Sequence, residues 1–355
     1  MKIPYNLTIL ANRGSRATTK DGTIELPIEA PRTELEPGER RPPLIAIVGP
    51  TAVGKSALAL ELAEYLQATR GTAGEIISAD SRQVYRSLDI GTAKPTPDEQ
   101  RRVRHHLIDL VDPEDDFTLA EFQDRARVAI AAVQQRGGIP ILVGGTGLYV
   151  RAVVDGLELP RVPPDLALRA QLEAEARANG PEALFRRLAL ADPVAATRID
   201  RRNVRRVVRA LEVIEKTGRP FSEAAVFRPE YDVLRIGLTL ERGRLYQLID
   251  QRVDRQMAVG LVDETRTVLD RGCPSNRPAL SGFGYRQVVQ YLAGELDLAA
   301  ATELYKFETH RFVRQQYGWF RLDDALIHWV ESNSETLPAV SDTVNRFISR
   351  ALDGA

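Results

Sequence analysis

One segment constrains the fold more tightly than any other: Gly49-Pro50-Thr51-Ala52-Val53-Gly54-Lys55-Ser56. It has the spacing of a phosphate-binding loop, with Gly, four residues, Gly-Lys, then Ser or Thr. Before it stands Leu44-Ile45-Ala46-Ile47-Val48, a continuous apolar run of the kind buried on both faces of a parallel sheet. After it, Ser56 to Leu66 reads as a helix, with Leu58, Leu62 and Leu66 recurring on one face. The glycines let successive amides turn inward around phosphate oxygens, and the helix N-terminus adds partial positive charge. Lys55 then supplies a point charge for the terminal phosphates, and the Ser56 hydroxyl suits a Mg²⁺ ligand. The motif leaves the polyphosphate open, because a nucleoside triphosphate and an isoprenoid pyrophosphate are alike at this end.

The rest of the chain extends that strand–loop–helix unit. Glu75-Ile76-Ile77-Ser78-Ala79 and Ile139-Pro140-Ile141-Leu142-Val143 read as further strands, the latter ending at Gly144-Gly145. Phe117 to Gln135 is helical, with Thr118 and Glu121 spaced as a capping box. Alternating strands and helices predict an α/β fold, a P-loop NTPase-like parallel sheet with flanking helices. From Gly156 to Pro229 the pattern turns helical and arginine-rich: Leu172 to Ala178, Pro181 to Ala189 and Asn203 to Thr217 are helix candidates, the last stopped by Gly218. Val233 to Leu238 is another strand, and Arg244 to Arg271 and Tyr285 to Leu292 are helices again. The expected organisation is therefore a disordered, proline-interrupted extension over 1–42, a first part of the core over 43–155 and a helical insertion over 156–229. A second, largely helical part of the core over 230–330 and a tail over 331–355 complete it.

Composition narrows the class. Of 355 residues 43% are hydrophobic and 27% charged, and no apolar run is long enough to span a membrane. One cysteine, Cys273, permits neither an internal disulfide nor a cysteine-based zinc cluster, which points to the cytoplasm. A formal net charge of -1 argues against a general nucleic-acid binder. Yet six arginines (198, 201, 202, 205, 206 and 209) stand against one acid, Asp200, between Arg198 and Arg209. That stretch reads equally as a local phosphate-holding patch or as a solvated helix face.

Phosphoryl transfer from ATP usually needs an Asp at a strand end to hold Mg²⁺. The third strand here ends in Gly144-Gly145-Thr146-Gly147-Leu148-Tyr149, without a carboxylate. Asp80 is the nearest equivalent. Its residue-level readings are an N-cap, a Mg²⁺ ligand or a general base.

The ordered set of short motifs resembles one family, the tRNA dimethylallyltransferases, from about Leu44 to Trp329. It comprises the phosphate loop (49–56), Asp-Ser-Arg-Gln-Val-Tyr (80–85), Asp-Ile-Gly-Thr-Ala-Lys-Pro (89–95), His-His-Leu (105–107), Gly-Gly-Thr-Gly-Leu-Tyr (144–149), Arg-Ala-Leu-Glu-Val (209–213) and Gly-Tyr-Arg-Gln (284–287). The resemblance implies attack of adenine N6, in the anticodon stem-loop of a tRNA, on C1 of dimethylallyl pyrophosphate, with Mg²⁺ as cofactor. It makes Asp80 the general base, sets Lys55 and Arg252 against the pyrophosphate, and puts Thr146 where nucleobase and isoprenoid meet. It assigns Ser81, Arg82 and Gln83 to the everted nucleotide, and Arg169, Arg205, Arg206, Arg209, Gly284, Tyr285 and Arg286 to further tRNA contacts, Tyr285 by stacking. A cytoplasmic monomer acting on tRNA is expected. The competing readings are a P-loop kinase and a tRNA-binding protein without catalysis.

Three departures from the family pattern concern RNA contacts. Thr309-His310, Val313-Arg314-Gln315-Gln316 and Gly318-Trp319 stand where the family has Thr-Arg, Ala-Lys-Arg-Gln and Thr-Trp. Leu248 occupies a position where arginine is common, and the N-terminal segment has no counterpart in the family.

Overall fold

The computed structural model describes residues 41–352 except 159 and 225, so all but the last two residues of the extension expected over 1–42 lie outside it. Chain order through the first half is β1 (Pro43–Val48), α1 (Lys55–Arg70), β2 (Gly74–Ser78), α2 (Pro97–Arg102), β3 (His105–His106), α3 (Leu119–Gln135), β4 (Ile139–Gly144) and α4 (Gly147–Val154). A short ladder of β5 (Leu157–Glu158) and β6 (Val226–Phe227) brackets α5 (Leu166–Asn179), α6 (Pro181–Ala191), α7 (Pro193–Arg198) and α8 (Val204–Thr217). Then follow β7 (Asp232–Thr239), α9 (Arg242–Ala258), α10 (Leu261–Asp270), α11 (Tyr285–Leu292), α12 (Leu298–Trp319), β8 (Ile327–Glu331) and α13 (Thr336–Leu352).

Six strands form one parallel sheet in the order β3-β2-β4-β1-β7-β8. Alternation along β1 explains its unbroken apolar sequence. Ile45 and Ile47 join the cluster that holds Leu58, Leu62 and Leu66 of α1, while Leu44, Ala46 and Val48 face Phe122, Ala126 and Ile130 of α3. Register places Val48 beside both Gly144 and Gly237, and Ser78 beside Val143. The carboxyl ends of β1, β2 and β4 thus lie side by side at one edge of the sheet, where ligands of open α/β folds bind.

The insertion has a core of its own, built from Leu172, Leu184, Leu188, Val207, Val208 and Leu211. Three of its four helices start on side-chain caps: Asp165 to the Leu168 amide at 3.0 Å, Asp192 to the Ala195 amide at 2.9 Å and Asn203 to the Arg206 amide at 3.2 Å.

Some elements differ from the sequence expectation. Arg244 to Arg271 is two helices, because Gly260 at φ 111° breaks the run. Residues expected as a tail after 331 form α13, whose Val340, Val344 and Ile348 are fully buried in the cluster that contains α1. Asn345 donates to the Tyr65 hydroxyl at 2.8 Å, which fixes α13 against α1. Four strands went unread: β3, β5 and β6 are too short to show a period, and β8, Ile-His-Trp-Val-Glu, has no clean alternation. Among the described residues no helix is long and apolar enough to cross a membrane.

Candidate active site: a phosphate cradle and a carboxylate in one channel

A channel of about 640 Å³ opens at the carboxyl edge of the sheet, and Lys55, Ser56, Asp80, Gln83, Thr146 and Arg252 all line it. Residues from α1, the turn after β2, the turn after β4, and α9 therefore converge on one space.

The phosphate loop has the backbone its glycines allow. Gly49 lies at φ 136°, and a Cβ there would sit 2.4 Å from the Leu238 carbonyl oxygen. Gly54 caps α1 without a side chain, so the first amides of that helix receive no cap from it. Lys55 donates to the Pro50 carbonyl at 2.6 Å, and Arg252 donates to the Thr51 hydroxyl at 3.5 Å. Burial depresses Lys55 to a pKa of about 7; the Asp80 charge opposes this and Arg252 adds to it. An anion entering here meets two cations, one of them poorly hydrated.

Asp80 lies two residues beyond the end of β2 and accepts the Arg82 amide at 2.8 Å, so the acid caps a turn and not a helix. Ser81 N–H donates to the Thr146 hydroxyl at 3.2 Å, joining this turn to the one after β4. Both Gly144 and Gly145 are required by close approach: an added Cβ would lie 2.2 Å from the Ala79 carbonyl oxygen and 2.4 Å from Gln316 Nε2 respectively. Gln83 accepts from the Ser78 hydroxyl at 2.9 Å and donates to the carbonyls of Thr92 and Ala93 at 3.4 and 3.3 Å. The Arg82 guanidinium reaches the Pro278 carbonyl.

The residues expected on the RNA side divide. Arg205 is exposed, and its charge bears on Arg82 of the channel, so the insertion stands near the channel mouth. Arg206 is half-buried. Arg169 and Arg209 instead serve the fully buried Glu212: Arg169 spans it with two bonds of 2.8 Å and Arg209 adds one of 2.5 Å. Burial alone would raise Glu212, but these hydrogen bonds and the Asp165 amide outweigh it and hold the carboxyl at about 2. Gly284, at φ 87°, packs against Tyr305. Tyr285 is 1% exposed and its hydroxyl donates to Glu264 at 2.6 Å, so its ring is not available for the stacking expected of it. Arg286 pairs with Glu308 and lies over the Phe283 ring at 5.9 Å.

Several channel residues were not anticipated. Gln316 accepts the Thr51 amide at 2.9 Å and donates to the Gly145 carbonyl at 2.9 Å. Trp319 packs on Gly147, where a Cβ would come within 2.3 Å of its ring. Phe283 and Phe312, with ring centroids 5.0 Å apart, add aromatic wall. Gln316 and Trp319 carried a sequence signal only as members of altered family strings, and Phe283 and Phe312 carried none.

The donor set also bears on a metal. Among the described residues no group of three or more His, Cys, Asp or Glu is placed to hold an ion. A hydroxyl (Ser56) with a carboxylate in the same channel suits Mg²⁺, which takes its remaining oxygens from substrate phosphates and water.

Residues 83–323 match the IPP transferase family. The tRNA dimethylallyltransferase of Thermomicrobium roseum is 52% identical over 283 residues, 79% of this chain and 84% of that protein. That of Dehalococcoides mccartyi is 44% identical over 308 residues, 86% of this chain and 93% of that one. Among solved structures, the full-length tRNA isopentenylpyrophosphate transferase of Bacillus halodurans is 40% identical, with a TM-score of 0.63 over 88% of this chain and 97% of its own. A eukaryotic dimethylallyltransferase acting on tRNA has 25% identity and a TM-score of 0.72 over 87% of this chain and 80% of its own.

Proposed function

The chain belongs to the IPP transferase family, the tRNA dimethylallyltransferases, and from that premise we propose that it transfers a dimethylallyl group from dimethylallyl pyrophosphate to N6 of the adenosine next to the anticodon of tRNA. The observation that carries this reading is the convergence of Lys55, Arg252 and Asp80 on one channel. A phosphate cradle faces a carboxylate there, and β4 ends in glycine without the acid that phosphoryl transfer usually employs at a strand end.

The chemistry is a substitution at carbon. The bond from C1 to the bridging oxygen breaks, the bond from N6 to C1 forms, and pyrophosphate leaves with the electron pair. Charge growing on the leaving group is met by the loop amides that follow Thr51 at the start of α1, by Lys55 and by Arg252, the Thr51 amide being engaged by Gln316. Asp80 takes the N6 proton, without which an exocyclic amine is a poor nucleophile. Thr146, bonded to the Ser81 amide, holds the turn that carries Asp80. When bound, Mg²⁺ supplies further positive charge to the pyrophosphate, with Ser56 as its protein ligand.

The adenine is stacked within its loop and must be everted to enter the channel, and new contacts must offset the lost stacking. Ser81, Arg82 and Gln83 line the way in, and the exposed Arg205 extends positive charge from the insertion toward Arg82. The monomer is the proposed working unit. The cytoplasm is the proposed compartment, in keeping with tRNA as substrate and a lone, buried cysteine.

The test is direct. The protein is incubated with Mg²⁺, labelled dimethylallyl pyrophosphate and tRNA lacking the modification. Label in the tRNA, mapped to the adenosine beside the anticodon, is the expected result. ATP turnover without label transfer would replace this reading with that of a kinase.

A further inference from the structure

We propose that Glu264 and Tyr285 are positioning residues for the transfer, acting through the backbone of residues 89–93, which walls the channel. The proposal rests on the function given above.

Three successive amides aim at one carboxylate. Asp89 and Ile90 each donate to Glu264 at 2.9 Å, and Gly91 donates to it at 3.4 Å. The Tyr285 hydroxyl donates to the same carboxylate at 2.6 Å and accepts the Gly91 amide at 3.1 Å. Glu264 is half-buried and forms no ion pair among the described residues, so amides and a phenol alone satisfy it. A partly desolvated carboxylate without a cation is costly unless its hydrogen bonds are complete. What those bonds secure is the course of the 89–91 backbone.

That backbone is held from other directions too. Gln256, one helical turn beyond Arg252 on α9, donates to the Ile90 carbonyl at 2.5 Å, and its own oxygen accepts the Tyr305 hydroxyl at 2.7 Å. Lys94 bonds the Tyr85 carbonyl at 2.9 Å and the carboxylates of Asp89 and Asp109 at 2.5 and 2.6 Å. Gly91 lies so close to the Tyr285 ring that a Cβ would be 2.6 Å from it. The segment's output is Gln83: the Thr92 and Ala93 carbonyls accept its amide group, three residues beyond Asp80. The chain of contacts runs from α10 and α11 through residues 89–93 to the side chain beside the base. An amide held at both ends orients a nucleotide; one released at one end does not.

Tyr285→Phe removes one hydroxyl and keeps the buried ring. Glu264→Gln keeps the shape but turns one acceptor into a donor facing donors. For both variants we expect kcat to fall by about ten- to a hundredfold, the cost of an ångström-scale misplacement. The affinity of the folded protein for inorganic pyrophosphate should stay at the wild-type value, because the phosphate loop is untouched. Wild-type protein that labels tRNA, beside variants with unchanged kcat, overturns the positioning role. A variant with unchanged kcat and a raised KM for tRNA overturns it in favour of an RNA contact. Activity lost in proportion to folded protein or to pyrophosphate binding overturns it in favour of a purely structural role. Failure of the wild-type protein itself to label tRNA strikes the proposed function instead.

Discussion

Gln316 accepts the amide proton of Thr51 at 2.9 Å, across 265 positions of sequence. Its other end donates to the Gly145 carbonyl, so one carboxamide ties the loop that would hold the leaving group to the turn that carries Thr146. Gln316→Leu strands a buried donor and a buried acceptor, each worth about 1 kcal/mol or more. The KM for dimethylallyl pyrophosphate should rise by roughly tenfold, with tRNA binding in filter assays unaffected. A wild-type KM would mean that the loop keeps its shape without this brace.

Asp80→Asn preserves the oxygen that accepts the Arg82 amide and so preserves the turn. It removes the base. Turnover should fall by about 10²–10⁴-fold while tRNA affinity is retained. Near-normal turnover in single-turnover assays would take the proton-accepting role away from this residue.

Burial holds the Lys55 pKa at about 7, well below its ordinary 10.5. Between those values the unfolded chain holds a proton that the folded chain lacks, so this residue's contribution to stability rises with pH across that window. A bound diphosphate restores the charge on Lys55, so above about pH 7 binding should draw a proton from solution. Calorimetry of inorganic pyrophosphate in buffers of differing ionisation enthalpy measures that uptake. Lys55→Met should lower it; equal uptake by variant and wild type would assign the proton to the ligand.

The arginines of the insertion should separate into two classes. Arg169→Ala leaves the buried Glu212 short of a two-bond partner and should destabilise the protein by roughly 2 kcal/mol, read from denaturant unfolding. Arg205→Ala, at an exposed position, should leave stability alone and reduce the salt dependence of tRNA binding by about one phosphate contact. The reverse assignment, with Arg205 stabilising and Arg169 salt-sensitive, would contradict the geometry.

The parts of this protein that the sequence declares are those where chemistry and local geometry coincide. The phosphate loop is legible because its glycines, lysine and serine are fixed by backbone needs within eight residues, and β1 and α1 follow from apolar runs beside it. Asp80 and Arg252 were reached through the family resemblance, and they do meet across one channel with Lys55. What stayed hidden depends on partners far apart in sequence. Arg169 and Arg209 look like surface charge until Glu212 is found buried between them. Tyr285 looks like a stacking residue until Glu264 captures its hydroxyl. Gln316 was noticed only as part of an altered string, and neither β3 nor β8 has the length or alternation to announce itself. The helix α13 was read as a tail, although its buried face settles against α1.

The reach of the Gln316 brace has a consequence for biosynthesis. The loop at 49–56 is translated early, yet the side chain that steadies it arrives 265 residues later, beyond the helices of the insertion. A nascent polypeptide that stalls before α12 therefore carries the lysine and glycines of the cradle without the side chain that joins Thr51 to Gly145.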